Sequence, residues 1–163
     1  MKLFLVRHAE ADSEIPEGLG DESRALLPSA RSQILSHFGS LQSRVGKFDV
    51  VYTSPSVRCV QTATLFTVAT GFSGPLEAHP RLLPNAPTAG LVAWAQSGLS
   101  GPSVWFGHNP HIGVAAAHLL GLTRLPWPVS PGTVIGLERV PEGPYRLSFF
   151  ASPGAPVREI LSG

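Results

Sequence analysis

The sequence predicts an α/β fold, a three-layer αβα sandwich around a mostly parallel central sheet with an antiparallel C-terminal strand pair. Three observations predict it. Short apolar runs alternate with amphipathic segments along most of the chain. Two of the runs, Lys2–Val6 and Ser103–Phe106, are continuously apolar at their centres, as strands covered on both faces are. The last two runs, Thr133–Arg139 and Tyr145–Phe150, are separated only by Pro141-Glu142-Gly143-Pro144, a turn suited to antiparallel neighbours.

The elements follow in order. Lys2–Val6 is a central strand that stops at Arg7-His8-Ala9-Glu10. Asp12 to Asp21 is an acidic loop broken by Pro16, Gly18 and Gly20. A helix opens at Leu27-Pro28-Ser29-Ala30, with Pro28 at its first position, and carries Ala30, Ile34, Leu35, Phe38 and Leu41 at helical spacing to a stop at Gly46-Lys47. Phe48–Thr53 is a second strand, β-branched and aromatic. Ser54-Pro55 then reads as a helix cap followed by proline at the first position, and the helix runs to about Ala69 with Val57, Val60, Ala63, Thr64 and Val68 facing inward. A short strand at 75–78, an irregular stretch at 79–87 and a short helix from Thr88 to about Gln96 lead to the strand Ser103–Phe106. Gly107-His108-Asn109-Pro110 repeats the cap-and-proline signal, and a helix covers Pro110 to Leu120 with Ile112, Ala115, Ala116 and Leu119 inward. A proline-rich loop, Leu125 to Gly132, precedes the final strand pair, and the tail after Ser152 reads as peripheral.

Composition narrows the function. The 163 residues form one expected domain, 1–163, and 43% of them are hydrophobic, enough for a core without staples. A net charge of +1 and the lack of a basic, aromatic-interleaved run argue against nucleic acid or an anionic membrane as partner. The single cysteine, Cys59, excludes an intrachain disulfide and a cysteine-based zinc site. No signal peptide or membrane-length apolar segment is present, so a cytoplasmic protein, a monomer or weak dimer, is expected. His37, His111 and His118 lack metal-site spacing and read as structural; no metal and no cofactor is expected. Trp94, Trp105 and Trp127 read as packing, with Trp127 a candidate for a pocket mouth.

Three junctions share one chemistry. His8 follows the first strand, Arg58 lies in the first turn of the helix after the second, and His108 follows Ser103–Phe106. Ligands of open α/β sheets bind outside the carboxyl ends of the strands. Helical side chains lean toward the helix N-terminus, so Arg58 reaches over that same edge. Arg7, Arg58, His8, His108 and two helix starts then surround one volume, a combination suited to a phosphate dianion. Taken singly, Arg58 is an ordinary solvated helix position, His108 a satisfied loop histidine, and Ser54 and Asn109 caps.

These residues carry a resemblance. Leu5-Val6-Arg7-His8-Ala9-Glu10 resembles the RHG-type motif of the histidine phosphatase superfamily (the phosphoglycerate mutase-like fold), with Ala9 for the usual glycine. Ser54-Pro55-Ser56-Val57-Arg58-Cys59-Val60-Gln61-Thr62-Ala63 resembles its S-P-x-x-R-A-x-Q-T-A motif, with Cys59 at the small position, and Gly107-His108-Asn109-Pro110 resembles its third motif. Within the superfamily the short length and Asp21-Glu22-Ser23-Arg24-Ala25-Leu26-Leu27, similar to a D-x-x-R-x-L-T segment, resemble the SixA-type phosphohistidine phosphatases; Leu27 replaces the threonine that caps the helix there. Many members place a general-acid glutamate where this chain has Pro84, in Arg81-Leu82-Leu83-Pro84, and SixA-type proteins resemble it in this.

The resemblance implies metal-independent covalent catalysis, in which His8 takes the phosphoryl group and water releases it. Arg7, Arg58 and His108 would hold the phosphoryl oxygens, with Asn109 a further substrate-binding position. Free imidazole titrates near 6.5, and the flanking guanidinium groups should lower His8 and keep it a neutral nucleophile. An alkyl ester leaves as a basic alkoxide and needs a strong acid, whereas phosphohistidine leaves as imidazole. A site without the glutamate is better matched to phosphoramidates, such as phosphohistidine on a protein, or to activated esters. Glu10, Asp12, Glu14, Glu77 and His79 are possible substitute acids. The alternatives are a phosphatase of small phosphorylated metabolites, such as a sugar phosphate or nucleotide, and a non-catalytic phosphate-binding module.

Overall fold

The computed structural model describes residues 1–161. Six strands form one sheet: β1 (Lys2–Arg7), β2 (Val50–Thr53), β3 (Leu76–Ala78), β4 (Ser103–Gly107), β5 (Val134–Glu138) and β6 (Arg146–Ala151). Their order is β3-β2-β4-β1-β5-β6. The four strands from β3 to β1 are parallel, and β5 and β6 join antiparallel to β1 and to each other. The predicted mixed sheet is therefore the observed one.

Five helices cover it: α1 (Ala30–Ser40), α2 (Gln42–Val45), α3 (Val57–Thr70), α4 (Thr88–Ser97) and α5 (His111–Leu119). The strand pleat sends alternate residues to opposite faces. Leu3 and Leu5 pack with Trp105, Ile135 and Leu137 against the buried sides of α4 and α5. Phe4 and Val6 pack with Val104, Phe106 and Val134 against Ile34, Phe38, Ala63 and Phe66 of α1 and α3. Phe66 meets Phe38 and Phe106 with ring centroids 5.1 and 5.3 Å apart, both edge-on, the arrangement that aromatic quadrupoles favour. Among the described residues no helix is long and apolar enough to cross a membrane.

Five sequence expectations need correction. The helix expected through residue 45 breaks at Leu41, which separates α1 from α2 while its own side chain stays buried. The helix expected from Pro55 starts at Val57, and Ser54 does not cap it. Its inner face is also rotated. Cys59, Thr62, Ala63 and Phe66 are buried, whereas Val68 is 67% exposed and Thr64 is exposed. The apolar stripe misled because the face that must meet both sheet and cleft is partly polar. At the third junction α5 starts at His111, after a cis Asn109-Pro110 bond, so Asn109 is no cap either. Finally the tail is not peripheral. Phe150 and Arg158 exchange backbone hydrogen bonds of 2.7 and 2.9 Å, closing part of the β6 edge, and Arg44 pairs with Glu159.

Candidate active site

The parallel strands bring the three motifs to one edge. Arg7 ends β1 directly beside Gly107 at the end of β4. The pairing continues one residue further, where the His8 N–H donates to the Gly107 carbonyl at 3.0 Å. Packing there is close: a Cβ at Gly107 would lie 3.0 Å from Ile112 Cδ1, and the Ile112 side chain would have to shift. A cleft of about 340 Å³ opens above these ends, and Arg7, His8, Arg58, His108 and Asn109 all line it. Arg24, Glu10 and Pro84 line it too. Of the possible substitute acids only Glu10 reaches the cleft lining; Asp12, Glu14, Glu77 and His79 do not. His79 instead stacks on Trp94, 4.0 Å between centroids.

The tautomer of His8 follows from one contact. Its Nδ1 lies 2.7 Å from the Ala9 carbonyl oxygen, which only accepts, so Nδ1 carries the hydrogen. The Nε2 lone pair is left without a protein partner among the described residues. Burial first, and then the charges of Arg58 and Arg7, lower His8 to about 4, against the raising effect of the Ala9 contact. His8 is therefore neutral at physiological pH. The loop that carries it is tied to α3: Thr62 Oγ1 accepts from the Ala9 N–H at 3.0 Å and donates to the Arg58 carbonyl at 2.7 Å.

The cations are held from behind. Arg7 Nη1 donates to the Val129 carbonyl at 2.8 Å. Arg58, 4% exposed, donates from Nη1 to the Asp21 carbonyl and from Nη2 to Asp21 Oδ2, each at 3.0 Å. Asp21 also accepts from Arg24 Nε at 2.8 Å, and this contact is the main reason its carboxyl titrates below the ordinary range. The Nε atoms of Arg7 and Arg58 are buried with no partner. Unpaired buried donors are costly, and these two leave the guanidinium groups of the cleft wall short of partners among the described residues.

His108 completes the wall. Its ring lies 5.4 Å from that of His8. Nδ1 faces Arg58 Nη2 at 3.3 Å, and Nε2 faces Ser54 Oγ at 2.9 Å, Ser56 Oγ at 3.2 Å and Cys59 Sγ at 3.5 Å. Burial and the Arg58 charge lower His108 to about 3. Cys59 is a packed side chain whose thiol burial raises to about 11, with little thiolate at neutral pH. Among the described residues no three His, Cys, Asp or Glu side chains cluster as metal ligands.

Sequence reasoning missed Arg24, Asp21, Thr62, Ser54 and Ser56 as parts of this site. Asp21 and Arg24 had a signal in the D-x-x-R segment, and Thr62 had one in the Q-T pair of the second motif. The adjacent Gln61 accepts the Leu26 N–H at 2.8 Å and so anchors the segment that bears Arg24. Trp127 lines a separate groove of about 240 Å³ next to the cleft, shared at Asn109, as expected of a residue near a pocket mouth.

Comparison with known proteins agrees with this geometry. The family model described as "Histidine phosphatase superfamily (branch 1)" matches residues 3–83. No curated protein sequence matches the chain. Among solved structures, a phosphohistidine phosphatase SixA of Agrobacterium tumefaciens shares 22% identity over 93% of this chain and 97% of its own, with a TM-score of 0.78. The protein histidine phosphatase SixA complexed with tungstate shares 20% identity over 94% and 97%, with a TM-score of 0.81. A SixA of Nakamurella shares 20% over 94% and 96%, with a TM-score of 0.74. At these identities the structures speak for the fold alone. Together with the family match over the first two motifs, they lead to one conclusion: the chain belongs to the histidine phosphatase superfamily, branch 1.

Proposed function

We propose that this protein is a phosphatase that removes phosphate from phosphohistidine on a protein, through a covalent intermediate on His8. The observation that carries the proposal is the His8 tautomer. With Nδ1–H donated to Ala9, Nε2 is the nitrogen with a free lone pair, and its ring lines a cleft that also holds Arg7, Arg24 and Arg58. In the first step Nε2 attacks phosphorus, the new N–P bond forms, and the substrate imidazole leaves with a proton gained from solvent or its own phosphoryl group. In the second, water attacks phosphorus, the N–P bond breaks, and inorganic phosphate leaves with His8 neutral again. Arg7, Arg58, His108 and Asn109 hold the oxygens, and the guanidinium groups stabilise charge in the transition state. The positive charge comes from side chains, so the scheme uses no metal ion or cofactor.

The leaving group decides between substrates. Pro84 lines the cleft without offering a proton, which favours a departing imidazole over an alkoxide. On this reading the chain is one cytoplasmic domain, a monomer or weak dimer, open enough for a phosphorylated side chain on another protein. The test compares a phosphohistidine-bearing protein, a phosphoserine peptide and a panel of sugar phosphates. The phosphohistidine protein should turn over fastest, with an acid-labile phosphoenzyme trapped on quenching. His8→Ala should bind phosphate weakly and turn nothing over. A sugar-phosphate preference removes the substrate, and undiminished turnover in His8→Ala removes the mechanism.

A further inference from the structure

His108 has its proton on the side away from the cleft. A guanidinium only donates, so the 3.3 Å contact from Arg58 Nη2 makes Nδ1 the bare nitrogen and puts the hydrogen on Nε2. That hydrogen is donated to Ser54 Oγ at 2.9 Å. Ser54 Oγ in turn lies 3.2 Å from Ser56 Oγ, so the buried hydrogens run from His108 to Ser54 to Ser56. Nε2 is enclosed by these hydroxyls and Cys59, which leaves Nδ1 as the nitrogen for the cleft. A phosphoryl oxygen is an acceptor, and in this tautomer it meets a second acceptor.

We propose that Ser54 and Ser56 are positioning residues that let His108 exchange tautomers when a phosphoryl group enters. Arg58 turns its Nη2 hydrogen from His108 to a phosphoryl oxygen. His108 then gains a proton from water on Nδ1, which donates to the phosphoryl group, and gives up its Nε2 proton to Ser54, which passes its own to Ser56 as Ser56 releases one to water. The net charge of the ring does not change. The hydroxyl hydrogens end in the opposite sense, Ser56 donating to Ser54 and Ser54 donating to Nε2. A carbonyl in place of Ser54 would accept always and an N–H would donate always; only a hydroxyl serves both tautomers. Neutral His108 is required throughout, and its burial beside Arg58 keeps it so.

The inference rests on the cleft being a phosphoryl site. The test is the imidazole ¹⁵N spectrum of the full chain, free and with tungstate or inorganic phosphate. His108 should be Nε2–H in the free protein and Nδ1–H with the anion, while His8 stays Nδ1–H. Anion-dependent shifts of the Arg7 and Arg58 Nε–H signals with His108 unchanged would overturn this inference and leave the proposed function standing. No shift of any arginine or histidine signal would remove the phosphoryl site and this inference with it. A free protein already in the Nδ1–H form also overturns it. In Ser54→Ala the anion should no longer carry His108 completely from Nε2–H to Nδ1–H, and Ser54→Thr should restore the change. The same complete change in all three proteins would remove the hydroxyls from the mechanism.

Discussion

Lowering the pH should leave His8 uncharged far below the point where a free histidine takes up its proton. Its midpoint is about 4, against an ordinary value of 6.5. Two parts of its surroundings act in this direction: burial, which disfavours the imidazolium, and the positive charges of Arg58 and Arg7. At pH 5.5 an ordinary histidine is about one-tenth neutral, while a group with a midpoint near 4 is about 97% neutral. The fraction of neutral imidazole then differs about tenfold between the two cases. The assay is a proton NMR titration of the His8 ring from pH 8 to the lowest pH at which the fold persists, with Arg58→Gln alongside. The wild type should show no transition above pH 5, and the variant should titrate at higher pH because a charge has been removed. A wild-type midpoint near 6.5 would refute the reasoning, since neither the burial nor the cationic wall would then act on the ring.

The same two histidines tie stability to pH. His8 and His108 titrate lower in the folded protein than in the unfolded chain, so below pH 6.5 the unfolded chain binds more protons. Their contribution is complete above about 6.5 and is lost as the pH falls toward about 4 for His8 and about 3 for His108; at pH 5.5 the loss is about 1.4 kcal/mol each. Urea unfolding at pH 8 and 5.5 should show it, and a His108→Asn protein should lose about half as much. Thr62→Val keeps the shape but leaves the Ala9 N–H unpaired. It should cost about 1–3 kcal/mol in urea unfolding and lower turnover by loosening the His8 loop. Pro84→Glu puts an acid into the cleft lining. The ratio of phosphoserine to phosphohistidine hydrolysis should rise about tenfold or more; an unchanged ratio would mean that the acid does not reach the leaving group.

What was legible in the sequence was whatever a strand end determines. His8, Arg58 and His108 each sit just past a strand, and once β1, β2 and β4 are parallel their carboxyl ends share an edge. What was hidden needed partners distant in sequence. Ser54 and Ser56 look like cap residues because hydroxyls at a helix start usually are. Their partner is the His108 ring, more than fifty residues on. Arg24 and Asp21 lie in a loop whose placement depends on Gln61 holding Leu26. The orientation of α3 was misjudged for a related reason. Hydrophobic spacing favoured Val60 and Val68, but burial of Arg58, Cys59 and Thr62 at the cleft turned the helix the other way. The tail was misjudged because strand-edge closure by Arg158 is a backbone event that side-chain pattern does not encode.

Cys59 gives the protein a built-in clock for its own opening. It is the one thiol in the chain, fully buried in the first turn of α3 against the Gly107 carbonyl, and held mostly protonated at neutral pH. An alkylating reagent can reach it only when α3 lifts from the end of β4, the same movement that would dismantle the Arg58–His108 contact. The rate of thiol labelling at neutral pH therefore reports how often the cleft comes apart, with no dye, tag or added residue.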